Sequence, residues 1–232
     1  MNDVAIHAAL TIYEERPSGS AVYLRVFYDG TATGYNGHVD LGTGIETALG
    51  QILAEELDLP LASVRIELGH TLSTPDQGPT IASETIQIAA IPLRLAGAQA
   101  RAYLAAQAAL RLNAPIADIE FREGVVRWGD HSCTFADLLQ GQSVALLLDR
   151  SSIVKNPSDY RIVGQKAGRR DLPDKLRGAH PYIHDVDVIG MVHGHVIRPP
   201  YAGRDSGAFI GQSLISYGED AVRAMAGFIA VV

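Results

Sequence analysis

The stretch GHVDLGTGIETALGQILAEELDLP, residues 37–60, runs from a turn of small residues straight into an amphipathic helix. Ile45, Ala48, Leu49, Ile52, Leu53 and Leu57 fall at i, i+3, i+4, i+7, i+8 and i+12. That is one helical face, and Glu46, Glu55 and Glu56 fall off it. The spacing predicts a helix over 44–58, ended by Pro60. Thr43, followed three residues later by Glu46, predicts a capping box at its start. Gly42-Thr43-Gly44 lets a ligand approach the backbone closely, with the following N–H groups aimed at it. The same residues also suit a plain strand-to-helix turn.

A second turn of this kind lies in STPDQGPTIASETIQI, residues 73–88. Gly78-Pro79-Thr80-Ile81-Ala82-Ser83-Glu84-Thr85 places small residues and three hydroxyls before a helix. Hydroxyls and amides together suit a phosphate or the edge of a pterin, although a simple N-cap at Ser83 would use the same residues. Neither turn is a P-loop, since no Gly-Lys-Ser/Thr follows, and neither is the GxGxxG dinucleotide fingerprint. Two anion-holding turns in one chain point to a ligand with a phosphate and several polar edges. They do not point to a protease, a zinc finger or a reader of DNA.

Around these turns, residues 4–40 read as strands, with AVYLRVFYDG (21–30) leading into a hairpin at Asp29-Gly30 and TATGYNGHVDL returning. VRIEL (64–68) reads as a buried strand and 69–82 as a loop. A second helical region spans about 84–113, and Pro92 should kink or divide it. IEFREGVVRW (119–128) reads as a hairpin and CTFADLL as a short helix. Residues 150–172 are polar, contain Pro157 and lack periodicity, as a connector would. The basic residues Lys155, Arg161, Lys166, Arg169, Arg170, Lys175 and Arg177 suit a solvated linker or a partner-docking strand. Beyond 173, YIHDVDV, GMVHGHVI and GFIAVV read as short strands and EDAVRAM (219–225) as a helix. The sequence stops inside an apparent strand, which suggests a fragment or a sheet completed by a partner chain.

At 232 residues and 47% hydrophobic, the chain can bury a sizeable core. A net charge of -7 argues against nucleic acid as the main partner. One cysteine, Cys133, excludes an internal disulfide and a cysteine-rich iron–sulfur or zinc site, and its setting WGDHSCTF reads as a packed thiol. His193 and His195 share a strand face, but only His184 or Asp185 offers a third ligand, so these read as structural or surface histidines and no metal site is assigned. The first residues show no signal peptide and no run approaches a membrane span. The expected location is cytoplasmic, or periplasmic through a partner.

The string at 37–60, followed by VRIELGHTLSTPDQGPTIASETI, resembles the molybdenum-cofactor-binding large subunit of the xanthine dehydrogenase and aldehyde oxidase family. Within it, the resemblance is to the branch of isoquinoline 1-oxidoreductase and nicotinate dehydrogenase. VGQKAGRRDLPDKLRGAHPYIHDVDVIGMVHGHVIRPP (163–200) resembles the start of that family's hammerhead domain. The implied fold is α+β. A molybdopterin-binding domain portion (1–150), a mixed sheet with packed helices, would be followed by a connector (151–172) and a partial α/β hammerhead domain (173–232).

The resemblance further implies an oxidoreductase subunit that hydroxylates an aldehyde or N-heterocycle with water. The cofactor would be a molybdopterin dinucleotide carrying molybdenum, of the cytosine type. Iron–sulfur clusters on a partner subunit would take the electrons, and the remainder of the molybdenum subunit and a small-molecule substrate would be the other partners. Carried over by position, Gly42, Thr43 and Gly44 match one cofactor turn. Gly78, Thr80, Ala82, Ser83, Glu84 and Thr85 match the other. Many relatives carry glutamine where Thr43 stands, and a small or polar residue where Glu84 stands. The family's catalytic base is a glutamate in a Gly-rich turn near the end of the full-length subunit. No GVGE-like motif occurs here, so no catalytic residue is assigned and the chain alone should not turn over. Two rival readings are a non-catalytic assembly piece of such a complex and a generic phosphate- or nucleotide-binding α/β module.

Overall fold

A computed structural model describes residues 8–139, 141, 143–196 and 218–232. The fold is α+β. Strands β1 (Ala8–Glu14), β2 (Ala21–Phe27), β3 (Ala32–Asn36), β4 (Val64–Leu68) and β8 (Val144–Leu147) form a mixed sheet in the order β4-β3-β2-β1-β8. The β1–β2 and β2–β3 pairs are antiparallel; β3–β4 and β1–β8 are parallel. The Asp29-Gly30 turn closes between β2 and β3, with the Phe27 N–H donating to the Thr31 carbonyl at 2.8 Å. Helix α1 (Ile45–Leu57) is the crossover between parallel β3 and β4. Helix α2 (Ala90–Leu112) packs on α1 and on the sheet.

The core follows from the periodicity. Leu49, Leu53 and Leu57 of α1 and Leu93, Ala96, Ala100, Leu104 and Ala108 of α2 meet Leu10, Ile12, Leu24 and Val26 of the sheet. Each of these leucines is fully buried, so truncation to alanine would cost about 2–5 kcal/mol. The antiparallel meander β5 (Glu120–Arg122), β6 (Val125–Trp128) and β7 (His131–Thr134) leads into the short helix α3 (Phe135–Leu139). Phe121 and Phe135 pack edge to face there. Cys133 is buried beside them, and burial pushes its thiol above the usual range, as suits a packed residue.

Several local expectations give way. The capping box does not form. Gly44 is the N-cap in the left-handed region (φ 75°), without a side-chain cap bond, and Glu46 reaches Arg170 instead. The Asp40 carboxylate serves the turn, accepting from the N–H groups of Gly42, Thr43 and Gly44 at 2.8, 2.8 and 3.2 Å. Ser83 does not cap its helix either, because it is itself left-handed (φ 59°). Pro92 does not split the second helical region. A π-helical turn, Thr85–Ala89, runs directly into α2 and places Pro92 in the first turn of the α-helix. The wider turn before it takes up the strain of the ring and the missing N–H. Strand β8 has no clear signature in the sequence; its VALL pairs with β1 from the far end of the meander.

The polar stretch 150–177 lies along α1. Glu55 Oε2 accepts from the N–H groups of Arg161, Ile162 and Val163 at 2.9, 2.6 and 2.9 Å. Lys155 pairs with Asp58 at 2.6 Å, and Arg170 donates to the carbonyls of Leu61 and Val64 at 2.5 and 2.6 Å. A short helix α4 (Leu172–Arg177) ends this unit's chain, which clusters as residues 1–180.

Residues 181–232 cluster as a second unit. The strands expected at 182–188 and 227–232 do not form. Ile183–Asp185 is a 3-10 turn, and residues 191–196 join no ladder. Val188, Ile189 and Val192 are exposed, so their β-preference has no pairing partner among the described residues. The expected helix is present as α5 (Glu219–Arg223), closed by an Arg223–Glu219 pair. Ile197 and the end of the 163–200 string lie outside the described residues, as do residues 4–7 of the first strand region. No helix among the described residues is long and apolar enough to cross a membrane.

Candidate functional site

The site begins where β3 ends. The chain leaves Asn36 through Gly37-His38-Val39-Asp40 into the Gly42–Gly44 turn and α1, while 75–85 approaches from the β4 side. The two turns are bonded to each other. The Gly37 N–H donates to Gln77 Oε1 at 2.8 Å and the Val39 N–H to Thr80 Oγ1 at 3.0 Å. His38 is buried between them, with Nδ1 2.7 Å from Thr85 Oγ1 and Nε2 3.3 Å from the Gln77 carbonyl oxygen. The amide groups of Asn36 and Gln77 both donate to the Ala89 carbonyl, at 3.0 and 2.8 Å. Gly37 has to be glycine, because a Cβ would collide with the Pro75 carbonyl oxygen. No buried side-chain polar atom among the described residues lacks a partner.

At the rim of the site, the segment leading into Gly42-Thr43-Gly44 is thus tied at Val39 to Thr80 of the second turn. Gly42 and Thr43 are exposed and Gly44 is buried. The Arg169 guanidinium packs against the turn and donates to the Gly42 carbonyl at 3.1 Å, itself held by Asp171 at 2.6 and 3.0 Å. Asp171, gripped by Arg169 and then Lys175, is held far below the usual carboxylate range. On the second turn, Ala82 and Ser83 are exposed and consecutive in the left-handed region (φ 50° and 59°), an uncommon state for residues with a side chain. Thr80 and Glu84 are half-buried and Thr85 is buried. Space beside Gly42 and Gly78 is open, with nothing within 4 Å of where a Cβ would stand.

Asn36, His38, Asp40 and Gln77 join the rim without having stood out in the sequence. The Asp-x-Gly spacing of Asp40 and Gly42 is an Asx-turn signal and could have flagged Asp40. Burial of Asp40 favours its neutral form, but the N–H groups of Gly42, Gly44, Thr43 and Glu46 outweigh that and hold its carboxyl below the usual range. Asp40 therefore sits where an external anion would reach the amides of the turn before α1. Away from the rim, a cleft of about 230 Å³ between α1, the π turn and residues 160–163 is lined by Ile52, Ile86, Ile91 and Tyr160, and its carboxylates are committed to Arg94, Lys155 and backbone. The described residues contain no His/Cys/Asp/Glu group able to hold a metal ion.

Residues 4–175 match the family "Molybdopterin cofactor-binding domain", and the chain belongs to that family. Over 213 residues, 91% of this chain, it is 47% identical to a nicotinate dehydrogenase subunit of Pseudomonas putida. Over 236 aligned residues it is 30% identical to the beta subunit of isoquinoline 1-oxidoreductase from Brevundimonas diminuta, covering 82% of this chain. The chain spans 18% and 30% of the lengths of these two relatives. Among solved structures, quinoline 2-oxidoreductase from Pseudomonas putida 86 aligns with a TM-score of 0.44 at 26% identity, over 50% of this chain and 15% of that one. CO dehydrogenase from Oligotropha carboxidovorans aligns with a TM-score of 0.45 at 25% identity, over 52% and 16%.

Proposed function

We propose that this chain is part of a molybdenum hydroxylase large subunit, and that its two bonded turns hold a molybdopterin dinucleotide of the cytosine type. The observation that carries the reading is the rim. Two backbone turns 40 residues apart are locked together, and both glycines open onto free space. These residues fit the group. Exposed amides at Ala82 and Ser83 and the hydroxyls of Thr80 and Ser83 suit phosphate edges, and the open space beside Gly42 in the Gly42-Thr43-Gly44 turn, whose N–H groups already donate to Asp40, suits a pterin edge. Glu84 and Thr85 complete the second turn.

When bound, the cofactor supplies two-electron oxidation of an aldehyde or N-heterocycle, with water as the oxygen source. This chain's own part is to bind and orient. It carries no residue in the role of the family's glutamate base, so a working site needs the remainder of the molybdenum subunit, and electrons leave through iron–sulfur clusters on a partner. On this reading residues 1–150 are the cofactor-binding portion, 151–172 the connector and 173–232 the start of the hammerhead domain, in a cytoplasmic complex. Asp40 favours a second reading. Because its carboxylate already satisfies the amides of Gly42, Thr43 and Gly44, the chain would be a non-catalytic assembly piece of the same complex.

Molybdenum analysis of the protein purified with its associated chains separates the two. Stoichiometric molybdenum with a pterin fluorophore is the expected result. A well-folded complex without molybdenum overturns the cofactor reading and leaves the assembly piece.

A further inference from the structure

His38 is 1% exposed and touches both turns, yet it has no place in the cofactor contacts proposed above. Its two ring nitrogens have different partners. The Gln77 carbonyl can only accept, so the proton at that contact is on Nε2. In a neutral imidazole Nδ1 is then an acceptor, and the Thr85 hydroxyl, 2.7 Å away, donates to it. The backbone N–H of His38 donates to Asn36 Oδ1 at 3.0 Å, which fixes the ring's base on the end of β3. Thr85 is 9% exposed, and its hydroxyl proton points inward. Thr80 behaves differently. Its oxygen accepts from the Val39 N–H, and its side chain is only half-buried. Ser83 is exposed at the strained corner of the same turn.

We propose that His38 is a positioning residue for the cofactor rim. As the Nε2–H tautomer it accepts a hydrogen bond from the Thr85 hydroxyl, holds the two turns in register, and leaves Thr80 and Ser83 as the hydroxyls that meet phosphate oxygens. The proposal rests on the reading that these turns hold the dinucleotide. It gives the third hydroxyl of the second turn, that of Thr85, a different task. His38 stays out of contact with the ligand and acts through Gln77, Thr85 and the backbone that follows it.

The test compares wild type with His38→Asn and His38→Leu. Asparagine keeps an oxygen that can accept from Thr85; leucine does not. Hydrogen exchange is read on the full chain at Gly37 and Val39, whose N–H groups bond across the clasp, and molybdenum content is read on the purified complex. In His38→Leu both amides are expected to exchange about tenfold faster, the value for losing one buried hydrogen bond, while the β1–β2 amides stay protected. Molybdenum content falls by a similar factor, and His38→Asn restores both. Thr85→Val behaves like His38→Leu. Thr80→Val lowers molybdenum content without changing exchange at Gly37.

Unchanged exchange at Gly37 and Val39 in His38→Leu overturns the clasp. So does an imidazole nitrogen spectrum of the wild-type chain that places the proton on Nδ1, a measurement that needs no variant to fold. Faster exchange with unchanged molybdenum content leaves the clasp standing and overturns the assignment of these turns to the cofactor.

Discussion

Two carboxylates in this protein each grip three consecutive backbone N–H groups, one at either end of the region around α1. Glu55 holds Arg161, Ile162 and Val163; Asp40 holds Gly42, Thr43 and Gly44. The local chemistry is the same and the setting is not. Glu55 is 2% exposed and lies 3.5 Å from Lys155, so it fastens the 150–177 stretch onto the core. Asp40 is half-buried at the open rim, beside Gly42 and Thr43 in solvent. A buried acceptor of three amides is a structural rivet. A rim acceptor of three amides occupies a place that a ligand anion can contest.

Mutation should expose this difference most strongly. Glu55→Ala leaves three amides without their acceptor, while Lys155 keeps Asp58, and is expected to cost about 2–3 kcal/mol in urea unfolding. Asp40→Ala removes a turn cap and is expected to cost about 1 kcal/mol. Equal costs would erase the distinction.

Acid should act along the same line. The backbone N–H groups and Lys155 hold Glu55 below its ordinary 4.5 despite its burial. Its contribution is therefore whole above pH 4.5 and is lost as pH falls through the lower folded-state value. Wild type should lose urea resistance on acidification below about pH 4.5, and Glu55→Gln should show a shallower decline. A parallel decline in both would remove Glu55 as the source.

The smallest expected effect is at the rim. Asp40→Asn keeps an acceptor oxygen and removes the charge that competes with a ligand anion at the start of α1. The half-time over which the purified complex keeps its molybdenum on dialysis should rise about twofold, with stability changed by less than about 0.5 kcal/mol. No rise would make Asp40 a cap and nothing more.

The elements legible in the sequence are those whose signal is local. Helix α1 shows in the spacing of Leu49, Leu53 and Leu57, the β2–β3 hairpin in Asp29-Gly30, and the end of α2 in Asn113, which adopts the left-handed C-cap. What failed depends on distant partners. Val144–Leu147 is a strand because β1 accepts it, and Val188, Ile189 and Val192 are not strands because no ladder among the described residues receives them. The capping box failed because Asp40 and a left-handed Gly44 satisfy the same amides another way. At the site, both turns were visible as small-residue runs. Their bonds to each other were not, since nothing in the spacing ties His38 to Thr85.

The clasp between the turns also bears on the order of folding. Its bonds join residues 40, 41, 47 and 53 apart in the chain. Closing such spans costs chain entropy that no local contact returns, so β3, α1 and β4 have to be in place first. The rim is expected to close late, and pulse-labelled exchange during refolding should find the Gly37 and Val39 amides protected after those of β1 and β2. If the rim is the cofactor face proposed above, such a chain presents it only once its core is already packed, so half-folded molecules have nothing to offer a scarce cofactor.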